Sequence, residues 1–292
     1  MGWAERRSER ELDAAGITDP QLRRSYEDCR RLNAHHGRTY YLATLLLPER
    51  KRPPVHALYG FARYADEIVD DLAQPLPPAV AAARLDALEH DLASPRLGEP
   101  SVLQAFRHTH ERYEIPLDHT RRFLDSMRTD LTATRFDATA LDAYMAGSAT
   151  AIALQMLPVL GYTQPYEVVA PYATDLAIAF QLTNFVRDVT EDARRGRRYL
   201  DDPRQAAARA RRLYRTAEQG IRLLDVTSRD CIRTAAALYE RILDEVERRG
   251  FDTTTRAAVS RSRRAAIAVP AAARAIRTRR AVPTTPTSTT SG

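Results

Sequence analysis

A chain of 292 residues, 44% of them hydrophobic, can bury one large core or two small ones. Its net charge of +6 and pI near 9.5 raise the question of a nucleic-acid partner, but arginines alternate with acids and no basic run carries interleaved aromatics, so none is expected. Two cysteines, Cys29 and Cys231, exclude a zinc-type cluster or a disulfide framework and point to a reducing compartment.

The first residues, MGWAERRSERELDAAG, are charged and lack the apolar run of a secretory signal. No window approaches the ~18 to 20 apolar residues that a bilayer span needs. Ala151 to Leu160 comes nearest and contains Gln155 and Pro158. The expected location is therefore the cytoplasm, with peripheral membrane association left open.

Alternating β-branched runs are missing, and helical periodicity fills the chain. Helices are predicted near 20–47, 54–73, 78–93, 100–113, 117–133, 137–160, 165–195, 204–225, 227–249 and 256–280. Pro20, Pro53-Pro54, Pro77-Pro78, Pro116 and Pro165 stand at or just before helix starts, where a missing N–H costs nothing. The NAHHGR stretch from Asn33 to Arg38 should break the first segment, with Gly37 supplying the freedom. Pro171 should kink its helix or mark the true start. His90, His108, His110 and His119 read most simply as surface residues. The closing AVPTTPTSTTSG has nothing to bury and reads as disordered.

One short pattern occurs twice. Asp66-Glu-Ile-Val-Asp70 and Asp188-Val-Thr-Glu-Asp192 are both Asp-x-x-x-Asp on predicted helices. Residues four apart share a face, and two carboxylates so placed repel each other, so the arrangement needs compensation. Oxygen-only ligands suit Mg²⁺, held by one or two carboxylates plus substrate phosphates. A single pair of this kind is common on exposed helix faces. Here each pair ends a polar stripe flanked by apolar residues: Tyr59, Arg63, Asp66 and Asp70 at offsets 0, 4, 7 and 11, and Gln181, Asn184, Asp188 and Asp192 at 0, 3, 7 and 11. Arg187 adjoins the second pair, and Arg194, Arg195, Arg197 and Arg198 come after it as phosphate donors. A third stripe, Tyr144, Ser148, Ala151 and Gln155, is either an ordinary packed helix or a cavity wall, with Tyr144 able to donate to a diphosphate or to face a cation with its ring.

FARYADEIVDD, YMAGSATAIALQMLPVLG and AFQLTNFVRDVTEDARRGRRYL resemble the signatures of phytoene and squalene synthases, the head-to-head prenyltransferases. RRSYEDCRRLNAHHGRTYYLATLLLP resembles their N-terminal helices, and the likeness runs from about residue 20 to 280, closest in wording to bacterial phytoene synthases. The resemblance implies an all-α isoprenoid-synthase helical bundle with a central active-site cavity. It divides the chain into a flexible N-terminus over 1–19, one catalytic domain over 20–281 and a disordered tail over 282–292. It also implies a prenyltransferase of carotenoid biosynthesis that joins two prenyl diphosphates, most simply geranylgeranyl diphosphate, through a cyclopropyl diphosphate to phytoene. Squalene- or dehydrosqualene-type coupling of farnesyl diphosphate is the alternative within the class, and a non-catalytic partner subunit the alternative outside it. A di-iron carboxylate bundle is excluded because no glutamate has His three residues later.

Carried onto this chain, the resemblance assigns Asp66, Asp70, Asp188 and Asp192 to Mg²⁺, with Mn²⁺ as the other option. It assigns Arg38, Thr39, Tyr59, Arg63, Gln181, Asn184 and Arg187 to diphosphate, and Tyr144, Arg63 and Tyr199 to the reacting centre. No NADPH is expected for a phytoene-type product. The apolar substrates, and the arginine-rich segment 256–280, raise peripheral contact with anionic lipid. The sequence leaves the oligomeric state open. One departure stands out. Tyr199-Leu200 is succeeded at once by Asp201-Asp202-Pro203 and a helix, where the family pattern has a couple of dozen residues more. A loop, or a loop and a helix, is missing beside the active-site mouth. Every motif aspartate is present, so the site is expected to survive.

Overall fold

The computed structural model describes residues 3–70, 75–93 and 102–281. Among them there is no strand beyond two isolated bridges, Arg135 with Arg198 and Tyr162 with Leu224. The helices are α1 (Trp3–Ala14), α2 (Pro20–His36), α3 (Arg38–Thr44), α4 (Arg52–Asp70), α5 (Pro78–Ala93), α6 (Val102–Arg112), α7 (Leu117–Thr129), α8 (Ala138–Met145), α9 (Ala151–Leu160), α10 (Tyr166–Arg194), α11 (Pro203–Ile221), α12 (Val226–Arg248) and α13 (Arg261–Ala281). The tail expected to be disordered, 282–292, lies outside the described residues.

Local chemistry explains several starts. Asp19 accepts from Leu22 N at 2.7 Å with Pro20 in the first turn, Asp137 accepts from Ala140 N at 2.8 Å, and Asp202 accepts from Arg204 N at 2.8 Å ahead of Pro203. Each aspartate satisfies an amide that the helix leaves unpaired. Gly37 divides α2 from α3 as expected, and it must be glycine for a further reason: a Cβ there would press on Asn33 and the ring of Tyr59. Pro171 does not start its helix, since α10 begins at Tyr166 and runs through the proline in its second turn.

Two expectations are overturned here. The start of the chain is not loose: residues 3–14 are helical, and Glu11 is buried against Arg52 at 2.7 Å. That guanidinium also donates to the carbonyls of Leu45 and Leu47, so a buried charge is fully partnered. Nor are the histidines all superficial. His110 is buried, its Nδ1 within hydrogen-bond reach of the accepting Ile115 O (3.2 Å) and its Nε2 of the Gln155 side-chain amide (2.9 Å), which a polar residue needs once inside.

The long α10 is the axis of the domain and packs most extensively on α11, and also on α12 and α9. Gly220 of α11 makes the closest approach possible, because a Cβ at that point would overlap Tyr172 of α10. On the other side α4 packs on α2, α6 and α9, with Phe61 stacked on Phe106 at 3.9 Å. Between these two groups lies a cavity of about 420 Å³ walled by α3, α4, α7 and by α8 through α12.

Ala138–Leu160 is, against expectation, long and apolar enough by length and composition to cross a membrane. Half of its window is buried against the bundle, as in a core helix. It is also interrupted. The backbone widens to a π turn over Ala146–Thr150, where Gly147 sits against the carbonyl of Arg122 on α7. One inserted residue rotates the remainder of the helix by about 100°. The predicted stripe consequently holds for Tyr144 and Ser148 but then moves on by one, so that Ile152 and Met156 line the cavity in place of Ala151 and Gln155.

His56 gives a pH test of the packing. It is buried, hydrogen-bonded to Asn33 at 2.9 Å, and burial followed by the charges of Arg30, Arg52 and Arg7 pushes its pKa down to about 3. The unfolded chain therefore takes up a proton below pH 6.5 that the folded chain refuses, and stability is lost as pH falls through that window. Urea unfolding should show about 2 kcal/mol lost between pH 6.5 and 5 on this account. His56→Gln should flatten the slope; an identical slope in the variant would remove His56 as its source.

Candidate active site

The two aspartate pairs meet at the mouth of the cavity. Tyr59, Arg63 and Asp66 of α4, and Gln181 and Asn184 of α10, line it, with Asp70, Asp188 and Asp192 a turn or two further out on the same stripes. Below the mouth the walls are almost wholly apolar, including Leu157, Ile152, Met156, Leu176, Phe180 and Ile221.

Arginines hold the acids in place. Arg63 donates to Asp66 at 2.6 Å and to Glu67 at 3.0 Å. Just past α10, Gly196 adopts a φ of +77°, which turns the chain so that Arg195 and Arg197 both reach across to Asp70, at 3.2 and 2.6 Å. Arg194 and Arg198 of the same run point outward. Asp188 is gripped from both sides, by Arg187 and by Arg256 at 3.0 and 3.1 Å.

The charge compensation is uneven. Burial pushes the Asp188 carboxyl up, but the Arg187 and Arg256 contacts outweigh it and hold its pKa below the ordinary carboxylate range. Asp66 goes the other way: desolvation, then the charge of Asp70, raises it to about 6, although 39% of its side chain stays open to the cavity it faces. Asp192 makes no side-chain ion pair among the described residues, and desolvation followed by Asp188 raises it to about 7. Two of the four carboxylates thus lack sufficient positive charge.

That shortage bears on a divalent cation. The donors at the mouth are all oxygen, and Asn184 Oδ1 is buried with no hydrogen-bond partner. Among the described residues no three His, Cys, Asp or Glu side chains converge into a ready-made cage. Both facts fit an ion such as Mg²⁺, which takes one or two carboxylates and fills its remaining positions with water and phosphate. Arg195 Nε, a buried donor with no partner, is suited to the accompanying anion.

The tyrosines have divided roles. Tyr144 lines the cavity with its ring while its hydroxyl donates to Asp130 at 2.6 Å, so the ring rather than the hydroxyl faces the ligand space. Tyr199 does not line the cavity. It stands behind, donating to the other oxygen of Asp130 at 2.9 Å and stacked on Phe185 and Phe136 at 4.2 and 5.0 Å. Burial holds the Asp130 pKa up despite the two phenols. Of the other expected donors, Arg38 is exposed, and neither it nor Thr39 lines the cavity. The neighbouring Tyr40 does, packed on Tyr239 and Phe180 at 5.0 and 5.7 Å.

Asp130 and Arg256 escape a reading of the sequence. Asp130 ends α7 in MRTD, where an acid beside arginine looks solvated. Arg256 lies between α12 and α13 in DTTTRAA and reaches Asp188 from a loop that Thr253 ties to Thr190 at 2.7 Å. No local signal marks either. If the mouth binds a cation with diphosphate, Mg²⁺ plus inorganic pyrophosphate should raise Tm by several degrees, as saturation near 100 Kd implies about 2.7 kcal/mol. Asp192→Asn should lose most of that rise; an equal rise in the variant would exclude Asp192 from the site.

Comparison with known proteins agrees with this geometry. Residues 33–202 and 203–265 match the squalene/phytoene synthase family. The chain is 34% identical to a phytoene synthase of Arthrospira platensis, over 78% of this chain and 85% of that one. It is 34% identical to a 15-cis-phytoene synthase of Synechococcus elongatus, over 79% and 86%. Among solved structures it is similar in fold to a dehydrosqualene synthase in complex with ligand, with TM-score 0.75, 22% identity, and 87% and 97% of the two chains covered. A squalene synthase from Alicyclobacillus acidocaldarius gives TM-score 0.69 and 23% identity, over 82% and 99%.

Proposed function

The chain belongs to the squalene/phytoene synthase family, and from that premise we propose that it joins two molecules of geranylgeranyl diphosphate head to head to give phytoene. The observation that carries this reading is one apolar cavity whose mouth gathers aspartates from two helices and is ringed by Arg63, Arg187, Arg195, Arg197 and Arg256. Diphosphate departure builds negative charge at the mouth, where guanidinium groups already aimed there stabilise it without reorganising. Mg²⁺, or Mn²⁺, held by Asp66, Asp70, Asp188 and Asp192, would neutralise the leaving diphosphate further.

The carbocation left behind sits between largely apolar walls, faced by the rings of Tyr144, Tyr40 and Phe180. It couples to the double bond of the second substrate, and loss of a proton from the resulting cation closes the ring of a cyclopropyl diphosphate; departure of the second diphosphate, rearrangement and loss of a second proton complete the sequence. Tyr199 and Asp130 act as supports that orient the Tyr144 ring. Gln181 and Asn184 hold the diphosphate end at the top of the cavity. This reading asks for no NADPH.

Purified protein with Mg²⁺ and geranylgeranyl diphosphate should release phytoene, and chelation should stop it. Asp66→Asn and Asp188→Asn should each lower turnover on the order of 10²–10³-fold with helicity unchanged. Product from farnesyl diphosphate alone would replace the reading with the squalene-type one, and no product from any prenyl diphosphate would leave the partner-subunit alternative.

A peripheral contact with lipid belongs to the same reading, since substrate and product are apolar. It would place a cytoplasmic protein against a membrane surface. The arginine-rich α13 exposes Val269 and Ile276, a combination suited to anionic headgroups. The protein should sediment with anionic vesicles at low salt and be released at high salt; no sedimentation at low salt would end the idea.

A further inference from the structure

The cavity has a definite depth, and one side chain stands where that depth matters. On α10 the first lining residue below the mouth aspartates is Asn184, Tyr172 lines the cavity 12 residues deeper, and Val169 lines it about a turn beyond Tyr172. At 1.5 Å per residue the two are about 18 Å apart along the helix. Gly220 of α11 reaches the same level from the other side, and a Cβ on it would overlap Tyr172.

Tyr172 differs from everything around it. The other deep lining residues are Leu157, Leu160, Val169, Ile221, Leu224 and Cys231, all aliphatic or small. Aliphatic side chains change rotamer to admit another methylene, whereas a ring with its Cβ pressed on a neighbouring helix backbone gives way only if the helices separate. The Tyr172 hydroxyl makes no hydrogen bond among the described residues, so packing on Gly220 sets the ring position.

A prenyl tail has four main-chain carbons per isoprene unit. At the ~1.2 Å per bond of an extended covalent chain, a C15 tail spans about 13 Å, a C20 tail about 18 Å and a C25 tail about 23 Å. With its first carbon at the level of Asn184, a C15 tail ends above Tyr172, a C20 tail ends at it, and a C25 tail has to pass the Tyr172 ring to reach the space beside Val169, about a helical turn beyond.

We propose that Tyr172, seated on Gly220, is the gauge that sets prenyl chain length, admitting C20 and refusing C25. This rests on the prenyl diphosphate reading above and extends it to a particular residue. The test is a competition between C15, C20 and C25 all-trans prenyl diphosphates with Mg²⁺, read as the ratios at which they are consumed. Wild-type protein should prefer C20 to C25. Tyr172→Ala should raise the C25-to-C20 ratio on the order of tenfold, and Tyr172→Trp should raise the C15-to-C20 ratio. Tyr172→Leu, which keeps an apolar group against Gly220, carries the same readout if the alanine variant fails to fold. Unchanged ratios in folded, active variants would overturn the proposal while leaving the activity standing. A wild-type protein that consumes none of the three would remove the activity and the gauge together.

Discussion

Like charges forced together over an apolar space are the constraint around which this molecule is built. Four aspartates stand at the mouth of a cavity that offers them nothing, and their proximity would separate α4 from α10 unless cations intervened. Five arginines from four separate stretches intervene. Arg195 and Arg197 join the end of α10 to Asp70 of α4, and Arg256 ties the loop before α13 to Asp188. These pairs tie the helices together at one end, and close packing such as that of Gly220 on Tyr172 joins α11 to α10 further down.

Compensation is strong at Asp188 and weak at Asp66 and Asp192. A mouth with every carboxylate fully paired would be a structural clasp. One that leaves two of them raised, with an unpartnered Asn184 oxygen and Arg195 donor beside them, is arranged for additional ions of both signs. The same asymmetry separates the parts of the cavity: charge and hydrogen bonding above, aromatic rings at the middle, and below them walls that are aliphatic but for Tyr172.

The connection after Leu200 is brief, and the contacts of the site stand on both sides of it. Asp202 caps α11 immediately, Tyr199 still reaches Asp130, and Gly196 still turns Arg195 and Arg197 inward. The residues that position the acids all come from before Leu200 or from after α12.

Periodicity and prolines in the sequence determined the helical class, nearly every helix start and the faces carrying Asp66, Asp70, Asp188 and Asp192, because a helix fixes neighbours three and four apart whatever surrounds it. The resemblance in its motifs determined the family. Only the tertiary structure decided which arginines face inward, that Asp130 joins Tyr144 to Tyr199, and that Arg256 belongs to the mouth, since each depends on segments far apart in the chain. It also decided that the first residues are anchored through Glu11 and Arg52 and that the π turn at Ala146–Thr150 shifts the cavity face by one residue. A backbone insertion of that kind changes no residue type and leaves no mark in composition; it is stabilised by packing, and packing exists only once the helices have met.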